Sequence, residues 1–488
     1  MIVVTPEFRK KRRSWGPKLL LILSLAFYGF VAFVVVVRSQ SGLSPSPLPA
    51  IVIALLPVCA YLAFRHPMIF PFVLYVGFLP FDSLLSVTSG ATLARLVAGA
   101  TAGAMILRLI LLRRAFIPHR SWYFFGAMVV YAAISLLWDT DGQTGTEEMT
   151  AIGQLFLFMT ILAIYPASKS EFKTGLGLFV PCGVISALYA MQAYYFGGSA
   201  ARDASDRVEL TSGGVLLDFN YYAGSFLLPI SIAMYFTFYG RQPIVRLASG
   251  IGTLIMMIGL LLTGSRGAFL SAVAILAYFA IRSKFRVQVI SFIGLAGLVS
   301  LFFPSVYLRF VNDPSQQGSA SGRTFIWETG LHSLKEHWLF GNGIGSFAST
   351  YDKNFLDVYQ AKFQGWTRPS HNLFIGVVTE LGIIGMVFVV AAWYTSVRQL
   401  KIIDKANEWF GLRLAFEGAI FSLLFLGLSI DPMYVKYIWL AHSMALMLMN
   451  QVAPREFRLP NASRSIAGQA RSPAFGFHAS ERIASRGS

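Results

Sequence analysis

An all-α membrane protein that crosses the bilayer many times is the fold the sequence predicts, and three observations predict it. Only 13% of the residues are charged, where a soluble domain carries about a quarter. Apolar runs of roughly 17–25 residues recur, the length a helix needs to cross a hydrocarbon core about 30 Å thick. Basic residues alternate between the short connections, as a positive-inside topology requires.

Taken in order, the apolar runs fall near 19–37, 49–64, 68–81, 91–112, 122–138, 150–165, 174–195, 215–239, 244–263, 267–281 and 287–303, then 373–396, 412–430 and 434–450. That is about 14 spans, with about 12 as the lower count. The first follows Arg9-Lys10-Lys11-Arg12-Arg13. This flank is that of a signal peptide, but the run is too long and has no small-residue cleavage site, so it reads as the first span. The third, with Pro71 and Pro80, is the weakest. The chain thus divides into a basic cytosolic N-terminus (1–18), spans 1–11 (19–303), a long polar loop (304–372), spans 12–14 (373–450) and a tail (451–488). The tail is rich in Ser, Arg, Ala and Gly without periodicity, a composition expected to be disordered.

With the N-terminus in the cytosol, Arg113-Arg114 and Arg282-Ser283-Lys284-Phe285-Arg286 fall inside, and the acidic turn Asp139-Thr140-Asp141…Glu147-Glu148 falls outside. The net charge of +17 is spread over many short loops. It reads as topology and attraction to anionic membrane lipids, not as a nucleic-acid surface. Cys59 and Cys182 lie within apolar runs and form no C-x-x-C pair. No internal repeat marks the halves of a transporter.

The loop from Pro304 to Asn372 lies outside in this topology, and a loop of such length is functional or a small domain of its own. It holds Ser321-Gly322-Arg323-Thr324-Phe325-Ile326-Trp327, then Gly341-Asn342-Gly343-Ile344-Gly345, then Ser370-His371-Asn372. Trp327, Leu331, Leu334 and Trp338 recur at helical spacing. They predict one helix, either flat on the membrane interface or packed on the rest of the loop. Arg323 stands at its start, where the positive helix end favours an anion.

Arg266 lies in Thr263-Gly264-Ser265-Arg266-Gly267, a linker too short for a true loop. Alone it reads as an interfacial arginine reaching for headgroups. A second outer arginine near glycine tips the reading towards function. His371 has the ordinary pKa for a base near neutrality, yet without neighbours it reads as a cap or an interface anchor. His332 and His337 are five apart and share no helix face, so no zinc site is expected. The glycine triplet lacks a P-loop lysine and reads as a turn. Asp139-Thr140-Asp141 matches a short metal-holding pattern but reads better as a solvated acidic turn. Arg95, Asp218, Glu380 and Glu417 fall within predicted spans, where ionisable residues are functional or paired by default. Glu380, nine residues into its span, reads as a buried structural partner. Asp218, beside Asn220, stands near the outer end of its own span.

Four strings in order resemble the O-antigen ligase and polysaccharide polymerase superfamily: Thr263-Gly264-Ser265-Arg266-Gly267-Ala268, Arg323-x-x-x-Trp327, Gly341-x-Gly343-x-Gly345-x-Phe347, and His371-Asn372-x-Phe374…Glu380-x-Gly382-x-x-Gly385. The similarity spans about Asp218 to Gly385. Asp218-Phe219-Asn220 stands where the family often has Asp-Pro-Asn. The resemblance implies a GT-C-type glycosyltransferase of the bacterial inner membrane with its site in a large helical periplasmic loop. It implies a glycan donor on undecaprenyl pyrophosphate, a lipid or protein acceptor for a ligase or a lipid-linked glycan acceptor for a polymerase, an inverting reaction, and no metal, nucleotide or other cofactor. Arg266 and Arg323 would hold the pyrophosphate and His371 would serve the acceptor. Asp218, Asn220, Trp327, Asn372 and Glu380 would complete the substrate-binding set.

Overall fold

The computed structural model describes residues 59–88, 91–197, 208, 210–212, 215–301, 323–358, 368–430 and 433–458. The chain forms two units, Met1–Ala60 and Tyr61–Ser488. Only the last two residues of the first unit are described, so the predicted N-terminus, the span 19–37 and most of the span 49–64 lie outside the described residues.

The second unit is helical. Its helices are α1 (Phe72–Phe78), α2 (Leu93–Leu112), α3 (Arg120–Ser135), α4 (Gly142–Ile164), α5 (Lys169–Phe196), α6 (Phe219–Ser225), α7 (Leu227–Tyr239), α8 (Pro243–Leu262), α9 (Arg266–Arg282) and α10 (Arg286–Ser300). The long loop contributes α11 (Arg323–His332), α12 (Leu334–His337) and α13 (Phe347–Val358). Helices α14 (Leu373–Leu400), α15 (Phe410–Leu426) and α16 (Lys436–Val452) close the bundle. Antiparallel strand pairs of two or three residues join β1 (Ser86–Thr88) to β2 (Ala91–Thr92), β3 (Arg114–Phe116) to β6 (Glu456–Arg458), and β4 (Thr211–Ser212) to β5 (Val215–Leu216).

The chain is a multi-pass membrane protein. Six helical segments among the described residues are long and apolar enough to span: α2, α4, α5, α6–α7 together, α8 and α14. Among the described residues the remaining predicted spans hold shorter helices, and the predicted span 68–81 is corrected outright. Between Pro71 and Pro80 the chain forms α1 and one 3-10 turn, ending at Phe81. Ten residues rise about 15 Å, half a bilayer core. Helix α4 starts eight residues before its predicted span, so Glu147 and Glu148 belong to its first turns and not to a loop. The tail, predicted to lack structure from 451, has structure at its start: α16 runs to Val452, and β6 pairs with β3, where Arg114 and Glu456 form an ion pair.

Helices pack in pairs: α14 on α3, α8 on α5 and α7, α15 on α9 and α7, and α16 on α4 and α15. Lipid tails offer helices no hydrophobic drive to associate, so close backbone approach matters. At the α5–α8 contact, a Cβ on Gly259 would sit 2.7 Å from the Cβ of Ala187.

The glycine triplet is a structural clasp. Gly341, Gly343 and Gly345 have φ of +74°, +101° and +77°, a left-handed backbone, and α14 is kinked at Gly382 with φ +63°. The two segments interlock: Asn342 N–H donates to the Thr379 carbonyl (3.0 Å), Gly343 N–H to that of Glu380 (2.9 Å), and Ile383 N–H to that of Trp338 (3.0 Å). The kink frees carbonyls of α14, and the glycine loop's N–H groups take them.

Candidate active site

The sequence places Arg266 at the start of a helix by local means. Helix α8 ends at Leu262, and Gly264 takes the left-handed conformation (φ +65°) that reverses the chain. Ser265 then caps α9, its Oγ accepting from the Ala268 N–H (3.3 Å). The same Oγ donates to Asn220 Oδ1 (2.8 Å). Asn220 lies in the first turn of α6, whose cap is Asp218: that carboxylate accepts from the N–H groups of Asn220 (2.8 Å) and Tyr221 (3.0 Å). One serine therefore ties the starts of α6 and α9 together.

Asn372 does the same for α14. Its Oδ1 accepts from the N–H groups of Phe374 (2.9 Å) and Ile375 (3.2 Å), and its Nδ2 donates to the Leu428 carbonyl (3.3 Å) just beyond α15. A Cβ on Gly267 would lie 2.1 Å from Ser429 Oγ, so the first turn of α9 abuts the same segment. His371, immediately before Asn372, has φ +47°. A left-handed histidine is a strained backbone that the surroundings must hold in place.

The loop helix α11 brings Arg323. Trp327 Nε1 donates to the Ser370 carbonyl (2.9 Å), pinning α11 next to His371. Ile326 is buried with Phe347 and Tyr351. The expected single helix through Trp338 is broken at Ser333, whose Oγ donates back to the Gly330 carbonyl (2.8 Å). The buried face is Ile326, Thr329, Gly330 and Ser333, while Leu331 and Trp338 of the predicted face are exposed.

Electrostatics bind these pieces into one site. Burial, and then the Arg266 charge, lower the pKa of Arg323, while Asp218 opposes them. Burial also lowers the pKa of His371, reinforced by Arg323 and Arg368 and opposed by Asp218. Thus Arg266, Arg323 and His371, from three distant stretches, converge with Asp218. The imidazolium form of His371 is disfavoured, and the two guanidinium groups lie close enough for each to disfavour the other's charge. Such an arrangement suits an anion with several charged oxygens next to a base.

Sequence reasoning passed over Arg368. It stands three positions before His371 and acts on the imidazole by its charge. Glu380 is buried, and accepts from the Phe347 N–H (3.3 Å) and the Tyr434 hydroxyl (3.3 Å). Tyr434 also donates to Glu148. Asp139 packs against Gly343 and Gly145, and its pKa is raised chiefly by burial. Among the described residues, no three His, Cys, Asp or Glu side chains converge as a metal site.

Residues 251–390 match the O-antigen ligase family, and the chain carries that family's domain over this stretch. The family implies glycan ligase or polymerase activity on lipid-linked substrates in polysaccharide biosynthesis. The match encloses Arg266, Arg323, Trp327, His371, Asn372 and Glu380, and leaves Asp218 and Asn220 outside. No curated protein matches the chain.

Proposed function

We propose that the protein transfers a glycan from undecaprenyl pyrophosphate to a hydroxyl of a lipid or glycan acceptor, at the periplasmic face of the bacterial inner membrane. The observation that carries this reading is the convergence of Arg266 and Arg323 with Asp218 and a neutral His371. The acceptor oxygen attacks the anomeric carbon, and the bond from that carbon to the pyrophosphate oxygen breaks. The electron pair leaves with the lipid pyrophosphate, and the hydroxyl proton passes to the imidazole of His371. One displacement inverts the anomeric centre. Negative charge grows on the leaving pyrophosphate, and guanidinium groups already in place stabilise it without reorganising. They fill the role a divalent cation plays in other glycosyl transfers, so the reaction is metal-independent. Its energy is stored in the donor.

The topology rests on charge. The other end of the helices gathers Arg282, Lys284, Arg286, Lys401, Lys405 and Arg413 around a cavity of about 980 Å³. By the positive-inside rule that end faces the cytosol and the arginine–histidine site faces out. The large outer loop and the helical bundle favour a GT-C-type enzyme.

The test is transfer by purified protein from a defined lipid-linked donor, with and without chelator. A new glycosidic bond in both conditions supports the reading. Movement of labelled lipid across vesicles with no new bond would make the protein a transporter instead. Ligase and polymerase share this donor chemistry and differ in acceptor. A deletion strain that accumulates long polymer on the carrier indicates a ligase, and one that accumulates single repeats indicates a polymerase.

A further inference from the structure

Helices α9 and α14 start beside Arg266 and His371, and both run to the same cavity at their far ends. It measures about 980 Å³ and opens between the link from α9 to α10, the loop after α14 and the start of α15. Arg282, Lys284 and Arg286 stand on the first wall, and Lys401 and Lys405 on the second. Like charges gathered round one space repel one another, so they call for acids from the fold or for an anion from outside.

The acids at this cavity are spent on other partners. Glu408 pairs with Lys169 and with Lys173 (3.6 Å) of α5. Asp404 accepts from the N–H groups of Ala406 (3.2 Å) and Asn407 (3.1 Å) in its own turn. Glu417 takes Arg413, the sixth cation of the lining. Among the described residues no acid forms an ion pair with Arg282, Lys284, Arg286, Lys401 or Lys405, and all five are exposed.

The rim is apolar. Ile281 lines the cavity and is 65% exposed, while Val287 and Ile402, each next in sequence to a lining cation, are 74% and 64% exposed. A soluble phosphate ester gains nothing from exposed aliphatic side chains at the end of membrane helices. A lipid does: its phosphates meet the cations and its chains meet the isoleucines and the valine. Two cationic walls across one space suit two phosphates. We infer that this cavity seats the headgroup of an anionic phospholipid with two phosphates, of the diphosphatidylglycerol class, and so joins the far ends of α9 and α14. On the topology read above, the lipid belongs to the cytosolic leaflet. The site does not depend on the transfer reaction.

The test offers diphosphatidylglycerol, phosphatidylglycerol or phosphatidylethanolamine to the full-length protein in micelles of neutral detergent, with binding read by native mass spectrometry. Micelles have no sides, so the result is independent of the topology. Diphosphatidylglycerol is expected to bind most tightly and to raise the unfolding temperature. The triple variant Arg282→Gln, Arg286→Gln, Lys405→Gln loses about a hundredfold in affinity, and Lys284→Gln alone loses about fivefold. A control triple, Arg65→Gln, Arg113→Gln, Arg120→Gln, neutralises three exposed arginines outside the cavity and binds like the wild type. The inference is overturned if diphosphatidylglycerol binds no better than the other two lipids, or if the cavity variants bind like the wild type. It is also overturned if the control triple loses as much as the cavity triple, which would make the attraction diffuse. Displacement of the lipid by inorganic phosphate or ATP at equal concentration would assign the cavity to a soluble phosphate and overturn the lipid.

Discussion

Two sets of arginines occupy opposite ends of this helical bundle, and the chain treats them differently. Arg413 is completed by its own fold: Nε donates to Glu417 (2.9 Å) and Nη1 to the Ile403 carbonyl (2.7 Å), while Tyr278 donates to the same glutamate. Arg323 is placed among charges that include Arg266, which disfavours its ionised form, and Asp218, which favours it. A guanidinium supplied with a carboxylate and a carbonyl serves the fold. Guanidinium groups brought close together beside His371 and Asp218 make a place suited to an anionic ligand.

Substituting one residue from each set gives the largest effects, of opposite kinds. Arg323→Ala and Arg266→Ala each lower kcat about a hundredfold to a thousandfold or more while the melting curve of the purified protein is preserved. Arg413→Ala strands Glu417 in the interior and costs about 3–5 kcal/mol, read as loss of folded protein before any assay.

The glycine clasp comes next. Gly343→Ala would set a Cβ 2.4 Å from Asp139 Cα, and Gly382→Ala one 2.3 Å from the Leu339 carbonyl, both on left-handed backbone. The backbone alone costs about 1–2 kcal/mol, and the collisions add to it. Gly294→Ala in α10 is the control: nothing lies within 4 Å, and helix propensity gains about 0.5–1 kcal/mol. Thermal unfolding in detergent separates the three.

The acid limb of the pH–rate profile sharpens the comparison without destroying the site. His371 acts when neutral, and its lowered pKa puts that limb below the ordinary histidine value. Arg368→Gln removes a positive charge that disfavours the imidazolium, so the limb moves up. Asp218→Asn removes a negative charge that favours it, so the limb moves down. Shifts of the opposite sign would remove His371 from the proton transfer. The smallest change in stability is that of His371→Gly, which loses transfer as the arginine variants do, yet gains about 1 kcal/mol of stability as the left-handed strain is relieved. His371→Ala keeps the strain and shows no such gain.

Much of the site was legible because it is built from local signals. A glycine and a serine between two apolar runs mark where α9 starts, and an asparagine after a histidine marks where α14 starts. Those caps set the backbone positions of Arg266 and His371. The partners were not legible. Asp82 and Lys436 stand in unrelated stretches and form an ion pair only when the turn after α1 meets the start of α16. Glu148 read as a turn residue because an apolar scan registers where lipid begins, not where a helix does. The same limit misplaced the third span, since Pro71 and Pro80 end a helix inside a run that is apolar enough to cross.

The central claim is that Arg323 and Arg266 receive a lipid pyrophosphate. Its most direct test is the binding of sugar-free undecaprenyl pyrophosphate and undecaprenyl monophosphate to the wild type and to Arg323→Ala, measured by native mass spectrometry from micelles. The account predicts that the wild type prefers the pyrophosphate and that Arg323→Ala loses about tenfold in affinity for it, with little change for the monophosphate. Equal binding of the pyrophosphate by both proteins would contradict it.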